Sequence, residues 1–390
     1  MNNVGKIFKA HTMKIVLVLV VIFFWIMTRD GGNSILSPVN ITALINQNAY
    51  VYVLATGMLM CMLIKGNIDL SVGSVVCFVD TVGAILMVRM GLPVPVALLA
   101  MLLLGIIIGA FMGWVIAYLN IPPWIATLAG FLSFRGLGTA IVKGQTIGIG
   151  QVESYLKLFN GTLPELFKIG SMNGLTVIIG VIVCVLIVYF QFKDRATKLK
   201  KGYEAESFST TAVRCAILCA VILFFTYKLA LDKGIPFSLL WVAAIVLVYN
   251  FITSKTVVGR YFYTMGGNIE AARLSGIDTK KILFLAYLNM QFLTVIASWI
   301  SMARLSAANP NAGLNYELDA ISACIVGGVS AYGGSGSVFG MIVGATLIGV
   351  INLGMSLMNV DANWQKVVKG LVLLAAVVFE IFNNRDSKKA

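Results

Sequence analysis

Twelve apolar runs, most of them close to twenty residues long, recur along this chain at 14–28, 43–64, 72–88, 93–119, 122–142, 175–192, 213–231, 236–253, 282–303, 316–330, 337–358 and 364–382. A helix rises about 1.5 Å per residue and the hydrocarbon layer is about 30 Å thick, so runs of this length are read as helices crossing a bilayer. No run alternates with the ten-residue pattern of a membrane β-barrel, and inside lipid every backbone amide must find its partner within the segment. The expected fold is an all-α polytopic membrane protein with about 10–12 transmembrane or partial helices, some broken or re-entrant. The 59% hydrophobic and 12% charged content, with a mean hydropathy of +0.92, agrees. Residues 1–390 are read as one transmembrane domain.

The formal charge of +13 does not form a continuous basic face. It gathers in short loops, which sets membrane orientation and gives no footing for nucleic acid. Lys6, Lys9 and Lys14, then Lys193, Arg195, Lys198, Lys200 and Lys201, then Lys255, Arg260, Arg273, Lys280 and Lys281, then Arg385, Lys388 and Lys389 fall on one side. The other side holds scattered charges such as Arg29, Arg89, Lys157, Lys168 and Lys233. Both termini are therefore expected in the cytoplasm. The run near Ile15 to Met27 follows a basic start without a small-residue cleavage site and is read as an uncleaved first span.

Chemistry-bearing clusters are scarce. The six cysteines, Cys61, Cys77, Cys184, Cys215, Cys219 and Cys324, all fall in apolar runs, and the single histidine is His11. Cys215 and Cys219 share a helical face with no further ligand nearby, so they read as small core residues rather than a metal site. No Gly-x4-Gly-Lys-Ser/Thr loop is present, so this chain has no nucleotide-hydrolysing site of its own. No catalytic residue, metal site or cofactor is expected.

One polar loop within residues 254–281 breaks the pattern: Gly266-Gly267-Asn268-Ile269-Glu270-Ala271-Ala272-Arg273-Leu274-Ser275-Gly276. Asn268 suits a helix N-cap, Glu270 sits where the helix dipole favours an anion, and Gly276 suits a left-handed C′ position. The loop is expected to form a two-turn peg for a soluble partner on the cytoplasmic side. Ala271 and Ala272 would let that partner approach, while Glu270 or Arg273 would fix its register.

Two further interruptions lie inside the apolar pattern. Lys65-Gly66-Asn67-Ile68-Asp69-Leu70-Ser71-Val72-Gly73 separates two spans, and Tyr332-Gly333-Gly334-Ser335-Gly336-Ser337 follows an unusually short one. Non-helical backbone at membrane depth survives where it packs in protein or lines a wet cavity, so both breaks are expected beside a translocation path. Asn67, Asp69, Ser71, Asn309, Asn315, Glu317 and Asp319 are its candidate lining or gate residues; Asp69 alternatively caps the next helix at the cytoplasmic surface, and Glu317 and Asp319 alternatively stabilise a helix start or dock a soluble partner on the outer side. Arg135, inside the fifth run, is a functional candidate as an intramembrane charge, with snorkelling toward the outer interface the favoured reading. Gly105, Gly109 and Gly113, and Gly340 and Gly344, mark close helix packing.

These residues together resemble a known family. Glu270-Ala271-Ala272 followed by Gly276 is similar to the Glu-Ala-Ala-x3-Gly core of the cytoplasmic loop in permease subunits of bacterial ABC importers. Gly259-Arg260-Tyr261-Phe262-Tyr263-Thr264-Met265-Gly266-Gly267-Asn268, Ala303-Arg304-Leu305-Ser306-Ala307-Ala308-Asn309-Pro310, Gly313-Leu314-Asn315-Tyr316-Glu317-Leu318-Asp319-Ala320-Ile321 and Gly327-Gly328-Val329-Ser330 look like the ribose/xylose class of monosaccharide permeases. Gly66 to Gly73 resembles that class's Gly-Gly-Ile-Asp-Leu-Ser-Val-Gly signature and departs from it at Asn67. About two extra spans around 200–255 bring the chain nearer to xylose and multiple-monosaccharide permeases. The resemblance implies a permease pair, here a homodimer, in the bacterial inner membrane. It also implies an ATP-binding subunit beneath the pair and an extracytoplasmic sugar-binding protein above it. The alternative from another class is an autonomous ion-coupled secondary sugar transporter, against which stands the absence of an evident embedded array of acids.

Overall fold

The computed structural model describes residues 3–29 and 34–387, with the side chains of 3–11 and of most residues from 379 onward outside the description. Lys388 and Lys389 therefore lie outside the described residues. Each of the twelve apolar runs contains a helix: α1 (Asn3–Thr28), α2 (Pro38–Leu63), α3 (Val72–Ala84), α4 (Val94–Ala117), α5 (Pro123–Ile141), α7 (Gly174–Lys200), α8 (Phe208–Leu231), α9 (Phe237–Lys255), α12 (Thr279–Leu305), α13 (Tyr316–Val326), α14 (Val338–Leu357) and α15 (Ala362–Ser387). Shorter helices α6 (Glu153–Asn160), α10 (Val257–Gly267) and α11 (Ile269–Leu274) lie in the connections. α3 continues as a π-helical turn over Ile85–Arg89.

Among the described residues, eight helices are long and apolar enough to cross a membrane: α3 with its π turn, α4, α5, α7, α8, α9, α12 and α14. α2 is long enough but carries Asn40, Asn46, Gln47 and Asn48, so protein rather than lipid must surround much of it. It does: α2 and α12 form the buried centre, with α12 lying along both α2 and α4. α1 is longer than the apolar run at 14–28 suggested, because the polar residues before it continue the helix. α13, with 11 residues, spans only about 16 Å and cannot cross alone.

The small-residue spacings mark backbone contacts. A Cβ on Gly105 would overlap Val295, and those on Gly109 and Gly113 would press on the Leu288 and Phe284 turns of α12. Gly340 and Gly344 likewise rest on the Gly327 and Ala323 carbonyls, holding α14 against α13. α7 and α8 form a peripheral hairpin, packed mainly on each other, whose apolar outer faces remain exposed. Two short antiparallel ladders complete the connections: β1 (Ile147–Gly148) with β4 (Ala307–Ala308), and β2 (Lys168–Ile169) with β3 (Met172–Asn173).

Candidate functional site

The peg folds as its sequence specifies. Asn268 has extended backbone and its side-chain oxygen accepts the Ala271 amide at 3.1 Å, satisfying one of the free donors of α11. At the other end Ser275 is the C-cap and Gly276 adopts φ +84°. The Gly276 amide donates to the Arg273 carbonyl at 3.0 Å and the Ile277 amide to the Ala272 carbonyl at 3.1 Å, the paired bonds of a Schellman stop. The Ser275 hydroxyl adds a bond to the Ala271 carbonyl at 2.8 Å. Glu270 and Arg273 pair at 2.8 Å with both side chains about two-thirds exposed, which makes the pair a rim feature of little energetic weight.

One expectation about the peg is corrected. Ala272 is fully buried in the main apolar core, and Ala271 alone of the two faces outward. Consecutive helical residues lie 100° apart, so two neighbours cannot both meet a partner head-on. Sequence reasoning passed over Leu274, whose side chain is 85% exposed. Gly267 is exposed, Ile269 packs half-buried against the core, and Gly266 is wedged against the Leu63 carbonyl and Gly334. Beside them, burial pushes the Tyr263 phenol above its ordinary range, so it stays a neutral donor to the Gly336 carbonyl at 2.9 Å.

The first break carries Asp69 into the bundle. Its Oδ1 accepts the Ser71 amide at 2.8 Å and hydroxyl at 2.6 Å, and its Oδ2 accepts the Gln291 side-chain amide at 2.8 Å. Gln291 is twelve residues into α12, about 18 Å along its axis. Asp69 thus organises the start of α3 as a cap does, but fully buried at depth rather than at a surface. Asn67 is half-buried and has no left-handed backbone; the left-handed residues are Lys65 (φ 55°) and Gly66 (φ 69°), so a glycine is dispensable at 67.

Glu317 and Asp319 both sit in the first turn of α13 and are buried, yet they serve opposite faces. Two residues apart means about 200° around the helix. Glu317 points at the start of α3, where a Cβ on Gly73 would strike its Oε2, an atom with no hydrogen-bond partner. Asp319 pairs with Lys369 of α15 at 2.8 Å through Oδ1 and accepts the Tyr50 hydroxyl of α2 at 2.9 Å through Oδ2. Asn315 is exposed with φ 64° and lines, with Ser322, Lys366 and Lys369, a groove of about 160 Å³ beside Asp319. Asn309 is half-buried, its side-chain oxygen taking the Asn311 amide at 2.8 Å.

Arg135 does not snorkel outward. Its guanidinium donates to the carbonyls of Pro310 at 2.9 Å, Ala312 at 2.5 Å and Gly73 at 3.2 Å, clamping the loop before α13 onto the start of α3. Three fixed carbonyls in protein satisfy it better than a stretched route to water. The sequence reading also missed Asp80, buried in α3 with Oδ1 accepting the Ser298 hydroxyl at 2.7 Å. Four carboxylates, Asp69, Asp80, Glu317 and Asp319, therefore lie inside the bundle, which corrects the expectation that no array of acids is embedded there. Ser74 Oγ, Asp80 Oδ2, Gln291 Oε1, Arg135 Nε and Glu317 Oε2 are buried without partners along the same seam of α3, α5, α12 and α13. Ionisable side chains buried inside a membrane bundle are candidates for a solute or ion path.

A polytopic bundle with irregular backbone between α2 and α3, a short half-helix, buried acids and an exposed capped peg fits a membrane-transport permease. The chain belongs to the family described as branched-chain amino acid transport system / permease component, whose model matches residues 40–377. It is 36% identical to the xylose transport system permease protein XylH of Haemophilus influenzae, over 97% of both chains. It is 35% identical to the Escherichia coli K12 protein of that name, over 95% of this chain and 91% of the relative. The ribose import permease protein RbsC of H. influenzae is 31% identical over 87% of this chain and 84% of its own length. No solved structure matches.

Proposed function

We propose that this chain is the membrane-spanning permease of an importer that passes pentose or hexose monosaccharides inward, driven by ATP hydrolysed on a separate subunit. The observation that carries the reading is the peg: a capped, exposed α11 on a chain that otherwise presents apolar helices, within a family of transport permeases. The xylose and ribose permeases it resembles over nearly its whole length support the sugar class. Residues 254–281 form the cytoplasmic coupling loop, and both termini lie in the cytoplasm of a bacterial cell whose inner membrane holds the protein. A second copy completes the permease, and a soluble sugar-binding protein delivers substrate from outside.

The chemistry fits a neutral polyol. A sugar needs donors and acceptors at modest strength; Asn67, Asp69, Ser71, Asn309 and Glu317 on one face of α13 and Asn315 and Asp319 on the other offer them, with Asp319 tied to Lys369 and Asp69 to Gln291. Affinity resides in the docked binding protein, so weak contacts speed release. An ion-coupled carrier would leave the peg without work. The deciding experiment is reconstitution in vesicles: uptake requires the ATP-binding subunit, the binding protein and ATP together. Uptake by the permease alone under an ion gradient overturns the proposal.

A further inference from the structure

The peg is riveted to two loops from distant parts of the chain. A Cβ on Gly266 would overlap the Leu63 carbonyl at the end of α2 and the Gly334 amide in the α13–α14 link; one on Gly66 would overlap the Ala331 carbonyl, and one on Gly333 the Lys65 amide. The Gly334 amide donates to the Leu63 carbonyl at 2.9 Å, and the Tyr263 hydroxyl to the Gly336 carbonyl at 2.9 Å. Three loops thus meet backbone to backbone at the end of the bundle that carries α11. Such contacts leave no side chain to flex, so the three loops shift as a unit.

This clasp displays one large aromatic residue. Tyr332, between Ala331 and Gly333, is 69% exposed and its amide is held by the Ser330 hydroxyl at 3.2 Å. Leu274, 85% exposed on α11, is an aliphatic anchor at the same end of the bundle, with the exposed Glu270–Arg273 pair on its own helix. Aromatic anchors inside a charged rim are the usual makeup of a protein interface.

We propose that the ATP-binding subunit grips the permease at two points, Leu274 of α11 and Tyr332 of the α13–α14 link, and that the glycine clasp makes them one part. The proposal rests on the importer reading above and adds to it a second contact and a route. Movement at the nucleotide passes through Gly334 to the end of α2. It also passes through the link to α13, which Gly340 and Gly344 hold against α14 and which bears Glu317 and Asp319.

The test uses the assembled importer in nanodiscs. Leu274→Cys and Tyr332→Cys are each treated with a short bifunctional maleimide against cysteines placed across the facing surface of the ATP-binding subunit, with and without ATP. Both positions are expected to cross-link, and their yields to change together with nucleotide. Cross-linking at 274 without any at 332 overturns the second contact while leaving the importer reading standing; cross-linking at neither removes both. Independently, Tyr332→Ala is expected to raise the concentration of ATP-binding subunit needed for half-assembly at least about fivefold, with Tyr332→Phe near wild type. An unchanged Tyr332→Ala contradicts the proposal, and since the side chain is exposed, folding does not confound it.

Discussion

The Gly276 position offers a graded test of the peg. A Cβ built there meets no heavy atom within 4 Å, so a replacement pays only for its backbone conformation at φ +84°. For alanine the left-handed region costs roughly 1–2 kcal/mol, a factor of about five to thirty in the population of the folded peg. Asparagine tolerates that region and should cost far less. Proline cannot adopt it and also lacks the amide that bonds Arg273, a loss of about 3 kcal/mol or more and hence over a hundredfold. α11 has six residues and packs mainly on its neighbours α10 and α12, through Ala272 and Ile269, so the penalty falls on the peg rather than on the bundle. The assay is titration of nanodisc-held permease with its ATP-binding subunit, reading the half-saturation concentration beside the melting temperature of the permease alone. The expected order is glycine and asparagine together, then alanine, then proline, at constant melting temperature. Proline binding like wild type would refute the reasoning; equal losses for alanine and asparagine would show that bulk matters there rather than backbone conformation.

Exchanging Glu270 and Arg273 for residues of opposite charge is expected to leave membrane insertion and melting unchanged, because the pair is exposed, while abolishing transport; normal uptake would remove the rim charges from coupling. Arg135→Leu strips three carbonyls of their donor, so the loop before α13 should loosen, read as a rise of at least tenfold in maleimide labelling of the buried position Ala312→Cys, with no rise for a control cysteine on α7. Lys369→Met leaves the buried Asp319 carboxylate without its counter-charge and should cost about 3–5 kcal/mol in detergent unfolding, while the double change Asp319→Asn with Lys369→Met recovers most of it.

Much of the architecture can be read from the chain before its structure. Hydropathy runs locate all twelve bundle helices because lipid leaves backbone groups no alternative partner, and the peg's ends are legible because Asn268 and Gly276 act within their own turn. Short range is what makes a signal local. The direction of Arg135, the pairing of Asp319 with Lys369 and the clasp at Gly266 all depend on residues tens to hundreds of positions away, which spacing alone does not reveal. Asp80 had a signal, a lone acid in an apolar helix, and could have been found by treating every intramembrane charge as functional from the start.

The sidedness of α11 bears most directly on the whole account. Leu274→Cys, with its side chain fully presented, is to be treated with a membrane-impermeant maleimide in sealed spheroplasts and in inverted vesicles. The account predicts no labelling in spheroplasts, strong labelling in inverted vesicles stripped of the ATP-binding subunit, and protection when that subunit is restored. Labelling of sealed spheroplasts would place the peg outside the cell and contradict it.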